Sequence, residues 1–107
     1  MNKPILFNLT IKLSKEDSSD WLKLVTTEIL PACTDGTIIQ STQVNRVMMG
    51  EDDGDETFAV QFVYASEKIF KEYKLSTMRV FLERVDESYR GKYVYFATMM
   101  EILHRHQ

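Results

Sequence analysis

Near its amino terminus the chain reads ILFNLTIKLS over residues 5–14, and this stretch decides the fold. Apolar side chains occupy every odd position from 5 to 13, whereas Asn8, Thr10 and Lys12 lie between them. Alternation with a period of two is typical of a β-strand with one buried face. The stretch therefore predicts a first strand that buries its odd-numbered residues.

Two helices are predicted from their caps and their apolar spacing. Ser14 followed by Asp17 is typical of a helix start, and apolar residues at helical spacing continue from there to Pro31, where we expect the first helix to end or soon unwind. Ser66 is a favourable cap for a second helix, and Gly91 is a natural residue just beyond its end.

The remaining strands are predicted at residues 37–49, 58–64 and 93–103. Asp53-Gly54 lies between the first two of these and is a strong hairpin signal. The resulting order, βαββαβ, is that of the ferredoxin-like fold, an α+β arrangement in which a four-stranded antiparallel sheet carries both helices on one face. A length of 107 residues suits one such domain, spanning residues 1–107.

The negative charge of the chain is concentrated in one segment. Thirteen basic and sixteen acidic residues give a net charge of −3, and five of the acids lie within residues 51–56. A balance so close to neutral provides no long-range attraction for phosphate backbones. Glu56 and Thr57 also stand where an RNA-recognition module would place a basic residue and a glycine ahead of Phe58. We therefore expect no nucleic acid among its partners.

The cysteine count and the hydropathy pattern bear on the compartment. A single cysteine, Cys33, excludes a disulfide within the chain and is typical of a reducing compartment. No apolar run reaches the roughly 20 residues of a membrane-spanning helix, and polar residues interrupt the amino-terminal apolar stretch, unlike a signal peptide. We expect a cytoplasmic protein with no membrane partner.

The sheet face away from the helices is the most informative surface for function. With Val94 and Phe96 assigned to the side under the helices, alternation leaves polar, aromatic and Met side chains on the opposite face. Such a mixture is typical of a partly dry interface or a ligand cavity. We predict a homodimer formed through this face, with a small apolar or aromatic molecule as a further candidate partner. The candidate residues are Asn8, Lys12, Gln61, Tyr93, Tyr95, Met99 and Glu101.

Other reactive side chains form no clear catalytic or metal-binding pattern. Cys33 has no histidine nearby in sequence to act as its base. His104 and His106 have a spacing that can supply two metal ligands, but a third ligand is not evident. The acidic segment 51–56 lacks the EF-hand spacing and is interpreted as a solvated hairpin turn. We assign no catalytic residue, no metal and no cofactor.

Several short motifs together span nearly the whole chain: Trp21-Leu22-Lys23, Glu28-Ile29-Leu30-Pro31, Asn45-Arg46-Val47, Thr57-Phe58-Ala59-Val60-Gln61-Phe62 and Phe96-Ala97-Thr98-Met99-Met100-Glu101. In this order they resemble a bacterial family known as domain of unknown function number forty-two eighty-six. The resemblance implies a ferredoxin-like fold similar to that of dimeric α/β-barrel proteins, in which two sheets pack face to face. It implies no assigned activity.

Two positions depart from the pattern of that family. Ile29 stands where the resemblance implies a histidine, and Ala97 stands where many members carry an arginine. The loss of these polar groups favours a homodimeric structural or binding module over an enzyme. The alternative is a small dimeric α/β-barrel enzyme, monooxygenase-like or isomerase-like, acting on an aromatic or haem-like ligand. A sensing domain of the amino-acid-binding type is a third hypothesis with the same fold.

Overall fold

The computed structural model describes residues 3–34, 38–48 and 53–106, and the elements follow the predicted order βαββαβ. The turn at Asp35-Gly36 and the first part of the acidic segment lie outside the described residues. The strands are β1 (Ile5–Ser14), β2 (Ile39–Arg46), β3 (Asp55–Tyr64) and β4 (Tyr93–Glu101). The helices are α1 (Lys15–Leu24), a π-helical turn (Val25–Ile29), α2 (Leu30–Cys33) and α3 (Glu67–Tyr89).

Strand β1 lies in the middle of the sheet and organises it. The strand order is β2-β3-β1-β4, and every neighbouring pair is antiparallel. Leu9 is paired with Val60 on one side and with Ala97 on the other. The odd-numbered residues of β1 are buried, as their alternation predicts. The predicted ferredoxin-like arrangement is therefore confirmed.

The core lies between this sheet and the helices. From the helices, Trp21 packs on Phe58 with ring centroids 5.0 Å apart, and Phe81 meets Phe62 edge-on at 5.8 Å. All four of these aromatic side chains are at most 1% exposed. Such aromatic contacts contribute stability beyond the burial of apolar area.

Both predicted helix caps are present. The Ser14 hydroxyl accepts a hydrogen bond from the Asp17 N–H at 3.4 Å, and the Ser66 hydroxyl accepts one from the Ile69 N–H at 3.3 Å. Each bond satisfies an N–H that would otherwise have no partner in the first helical turn. Beyond α3, Gly91 adopts a left-handed conformation with φ of 76°, which glycine accepts without strain.

The first helix extends two residues beyond Pro31 and ends at Cys33, in agreement with the predicted end or early unwinding at the proline. It continues to Cys33 because the turn before the proline widens into a π-helix, in which the Leu30 N–H donates to the Val25 carbonyl five residues back. Proline cannot donate a backbone hydrogen bond and its ring crowds the carbonyl four residues earlier, so a regular α-helix would break. Hydroxyls of Thr26 and Thr27 bond carbonyls of the preceding turn at 2.8 and 2.6 Å.

The facing of β4 is opposite to the sequence prediction. Directly paired residues share a face, and Tyr95 pairs with the buried Ile11, whereas Phe96 pairs with Thr10. Tyr93, Tyr95, Met99 and Glu101 therefore lie on the helix-facing side of the sheet, and Val94 and Phe96 lie on the open side. The alternation of side chains along β4 does not indicate which side faces the helices, because β4 is an edge strand that remains largely exposed on both sides.

Across the described ranges, no helix is both long enough and apolar enough to cross a membrane. The molecule measures 44 × 30 × 21 Å, which matches a single helical layer on a sheet. In the described part of the chain, no helix or strand forms a third layer over the side of the sheet that faces away from the helices.

We expect Phe62→Ala to destabilise the fold by about 3–5 kcal/mol, because it leaves a cavity beside Phe7 and Phe81 that the sheet cannot close. Leu75→Ala on α3 removes a side chain that is 63% exposed and should change stability by less than about 0.5 kcal/mol. Urea denaturation of both variants measures the difference. Equal losses would contradict the core described above.

Candidate functional site

The candidate site is the side of the sheet that the helices do not cover, called the open face below. Its polarity changes from one edge to the other: β2 presents hydroxyl and amide groups, whereas β4 presents mainly apolar side chains. The residues on this face are Ser41, Gln43 and Asn45 of β2, Thr57, Ala59, Gln61 and Val63 of β3, Leu6, Asn8, Thr10 and Lys12 of β1, and Val94, Phe96, Thr98 and Met100 of β4.

A row of polar side chains runs straight across the middle of the open face. Gln43, Gln61, Asn8 and Thr98 are successive partners in the register of the four strands. Gln43 Nε2 donates to Asn45 Oδ1 at 2.8 Å, so the amide of Gln43 is already oriented. The row supplies both donors and acceptors without any charge.

Asn8 occupies an unusual position in this row. Its Nδ2 donates to Thr10 Oγ1 at 2.8 Å, but its buried Oδ1 accepts no hydrogen bond. The residue is only 7% exposed although it lies on the uncovered side of the sheet. A buried acceptor without a partner costs about 1–3 kcal/mol, so an additional donor at this position would be stabilising.

The β4 side of the open face is apolar and exposed. Val94 is 66% exposed, Phe96 62% and Met100 41%. An exposed apolar edge strand is a site at which proteins associate, because burial of such surface is favourable and the outer edge of the strand has unpaired backbone groups. This property belongs to Phe96 and its neighbours, not to the tyrosines that the sequence analysis selected.

Lys12 lies on the open face as predicted, but it is engaged by the hairpin. Its Nζ is 2.8 Å from Asp53 Oδ2 and 3.9 Å from Asp55 Oδ2. The hydrogen bond that Lys12 donates to Asp53 raises the pKa of Lys12 and lowers the pKa of Asp53. Lys12 therefore connects the acidic segment to the edge of the open face and is not an unpaired cation.

Tyr93 and Tyr95 lie on the helix-facing side of the sheet, away from the predicted site residues that remain on the open face. On the helix-facing side, the Tyr93 hydroxyl donates to Asp86 Oδ1 of α3 at 2.7 Å. Partial burial, together with this acceptor, raises the pKa of Tyr93 well above its usual range. The Tyr95 ring lies beside it, with centroids 6.2 Å apart. Tyr93 thus holds α3 against β4.

Met99 and Glu101 also lie on the helix-facing side. They border a groove of about 300 Å³ between β4 and α3, together with Phe70 and Lys74. Lys74 Nζ is 5.6 Å from the centroid of the Phe70 ring, a cation–π distance. Of the seven predicted residues, only Asn8, Lys12 and Gln61 share the open face.

A cavity that the sequence analysis missed lies at one end of the open face. It has a volume of about 400 Å³, and its lining includes Ser41, Gln43 and Gln61. Ile102 and Arg105, which follow β4, close one side of it, and the Ile102 N–H donates to the Pro4 carbonyl at 2.9 Å. Alternation along β2 could have placed Ser41 and Gln43 on one face, but nothing in the sequence showed where residues 102–106 would lie.

The remaining reactive groups that the structure describes include Cys33, Tyr64 and the histidines His104 and His106. Burial raises the pKa of the Cys33 thiol and of the Tyr64 hydroxyl, so both are neutral near pH 7. His104 Nε2 and His106 Nδ1 are 3.2 Å apart. Over residues 3–34, 38–48 and 53–106, no group of three or more His, Cys, Asp or Glu side chains is arranged to hold a metal ion.

The order of the elements, the register and the placement of both helices on one face define a ferredoxin-like protein. The chain belongs to the family described as Domain of unknown function (DUF4286), whose model matches residues 4–103. That confirms the resemblance noted in the sequence. The family has no assigned activity. No curated protein matches the chain in sequence.

Solved structures share this fold at low sequence identity. The heme-degrader MhuD from Mycobacterium tuberculosis, solved with two hemes bound in its active site, has a TM-score of 0.67 at 12% identity, covering 96% of this chain and 99% of that chain. A provisionally assigned antibiotic biosynthesis monooxygenase from Bacillus cereus has a TM-score of 0.66 at 15% identity, covering 98% of each chain. A dimeric ferredoxin-like protein from an uncultured marine organism has a TM-score of 0.54 at 10% identity, covering 96% of this chain and 99% of that chain.

The two positions at which the resemblance implies polar groups lie in the π-helical turn and on the helix-facing side of β4. Ile29 is 1% exposed, and Ala97 pairs with the fully buried Leu9. Ile29 belongs to the apolar core, whereas Ala97 is exposed on the edge strand, and neither side chain can accept or donate a proton. The helix-facing side therefore has no acid–base group at the two positions where the resemblance implies one.

We expect Tyr93→Phe to reduce stability by about 1 kcal/mol at pH 7, through loss of the hydrogen bond to Asp86. Because the folded pKa of Tyr93 is raised above its unfolded value of about 10, the stability that this tyrosine contributes is fully present below pH 10 and decreases as the pH rises above it. The difference between the wild type and Tyr93→Phe should therefore shrink between pH 9 and 11. Urea titrations across that range measure it, and a difference that grows with pH would contradict the assigned bond.

Proposed function

We propose that this protein is a homodimeric binding module of one ferredoxin-like domain, in which two copies pack the open faces of their sheets together. One observation carries the proposal: the open face combines exposed Val94, Phe96 and Met100 with a buried Asn8 whose Oδ1 lacks a donor. Apolar side chains at the edge and an unsatisfied acceptor near the centre both gain from a covering layer.

The exposed surface area of the single chain is large enough to support this proposal. The chain exposes 7080 Å², whereas a folded monomer of 12.5 kDa is expected to expose about 6,200 Å². The excess of about 900 Å² is close to the roughly 800 Å² that each partner buries in a standard protein–protein interface. A second copy on the open face would remove an area of this size.

The polar row suits a twofold contact between identical faces. In such a contact each patch meets its own symmetry mate, so a neutral row that contains both donors and acceptors is self-complementary. A second copy can supply an N–H or O–H group to Asn8 Oδ1. A partner with a strongly charged surface would leave its charges unpaired against these amides.

Two further considerations support a dimer and, separately, a binding module over the enzyme alternative, which is also dimeric. One structure with the same fold is described as a dimeric ferredoxin-like protein. The enzyme alternative, acting on an aromatic or haem-like ligand, has the fold of MhuD in its favour, but Ile29 and Ala97 supply no reactive group where the family resemblance would place one.

The single Cys33 is consistent with a reducing compartment such as the cytoplasm.

We expect light scattering to show a species of about 25 kDa, twice the chain mass, that dissociates only on strong dilution. The measurement covers a hundredfold range of protein concentration. A mass of 12.5 kDa at every concentration would refute the dimer.

Phe96→Asp should shift the protein to the monomer, because it places a charge in the apolar part of the proposed interface. Leu75→Asp is a matched control, since Leu75 is 63% exposed on α3 and Phe96 is 62% exposed on β4. Tyr95→Asp, on the opposite side of the same strand, tests the facing of β4 and should leave the dimer intact. Dissociation by Tyr95→Asp but not by Phe96→Asp would contradict the proposed interface.

A further inference from the structure

The cavity at the end of the open face has the size of a small-molecule site and is partly open to solvent. Its volume of about 400 Å³ falls within the range of roughly 300–1,000 Å³ that is common for ligand pockets. Strands β1, β2 and β3 supply its floor, and the chain after β4 supplies one wall through Ile102 and Arg105. All the residues that line it belong to a single chain.

The floor of the cavity offers hydrogen bonds to an uncharged polar group. Gln61 and Gln43 are cross-strand neighbours, and Ser41 lies two residues before Gln43 on the same face of β2. Amide and hydroxyl side chains can donate and accept, so they suit a ligand that carries an amide or a hydroxyl group.

The wall beside this floor is aliphatic. Leu6 and Val63 are paired across β1 and β3, and Ile102 lies next to them in the lining. Val63 is only 8% exposed, so this part of the cavity is already shielded from solvent. A short aliphatic group on the ligand would bury apolar surface there.

Arg105 is the only charged residue among the eight that line the cavity. No ion pair among the described residues involves it. A guanidinium group is planar and binds a carboxylate through two parallel hydrogen bonds. One cation without a neighbouring acid is balanced by a ligand with one negative charge.

We propose that this cavity binds a small monocarboxylate that also carries an amide or hydroxyl group and a short aliphatic chain. Its carboxylate pairs with Arg105, its polar group meets Gln43 and Gln61, and its aliphatic part lies against Leu6 and Val63. The site goes beyond the proposed dimer but shares Gln43 and Gln61 with the polar row of the proposed contact, so a second copy on the open face would compete with the ligand for these two side chains. A phosphate group, with close to two negative charges, is a poorer match for a single guanidinium.

N-acetyl-leucine is a suitable probe, because it has one carboxylate, one amide and one branched aliphatic side chain. Isothermal titration calorimetry of the wild-type protein should detect its binding. The uncharged N-acetyl-leucinamide should bind at least about tenfold more weakly, since it loses the charge-assisted bonds to Arg105. Inorganic phosphate should not displace the bound probe.

Arg105→Gln should weaken the binding of N-acetyl-leucine by about tenfold or more and leave the affinity for N-acetyl-leucinamide unchanged. Arg79→Gln is the control, because it removes the same charge from the exposed surface of α3, on the other side of the sheet. Arg105 is exposed and follows the last strand, so its substitution should not disturb folding.

Three results would overturn the proposal: no binding of N-acetyl-leucine to the wild type, equal affinities for acid and amide, or displacement of the probe by phosphate at similar concentration. The Phe96→Asp variant separates this proposal from the dimer. Because one chain lines the cavity, that variant should bind the probe at least as tightly as the wild type, since no second copy then competes for Gln43 and Gln61. Loss of binding in Phe96→Asp would contradict a site built by one chain.

Discussion

The pairing of β1 on both of its edges is the constraint on which the rest of the structure depends. Ten residues of β1 pair with β3 and nine pair with β4, so the register of this one strand determines which side chains of its neighbours face the helices. Burial of Leu9 and Ile11 holds that register, because a shift of one residue would move the whole apolar row to the open face. The polar row through Asn8 follows from the same pairing.

The change in polarity across the open face divides it into two parts with different physical properties. Near β4, burial of the exposed Phe96 and Val94 away from water lowers the free energy, which favours a protein surface as partner. Near β2 the amide groups gain little from burial unless they are hydrogen-bonded, which favours a ligand with matching polar groups. Gln43 and Gln61 belong to both the polar row and the cavity, so association through the whole open face and ligand binding would compete for these two residues.

The helix-facing side shows how a shared fold differs from a shared activity. MhuD and this chain have similar backbones at 12% identity, yet Ile29 contributes only packing here and Ala97 carries no reactive group. Fold is determined by where apolar residues recur, whereas chemistry depends on a few individual side chains. The π-helical turn before Pro31 also shows that the fold tolerates an unfavourable residue. The helix widens locally at this turn, so the proline is accommodated and the packing is kept.

The sequence by itself determined the order of the elements, both helix caps and the buried side of β1 and β3, because each of these follows from local spacing or from a cap within a few residues. It also placed Asn8, Lys12 and Gln61 on the open face correctly. Only the tertiary structure decided the facing of β4, since an edge strand exposed on both sides has no alternation of burial to read. The pairing of Lys12 with Asp53 and the position of Arg105 over β2 and β3 were likewise beyond the sequence, because they join residues that are about forty or more positions apart in the chain and meet only after the sheet has formed.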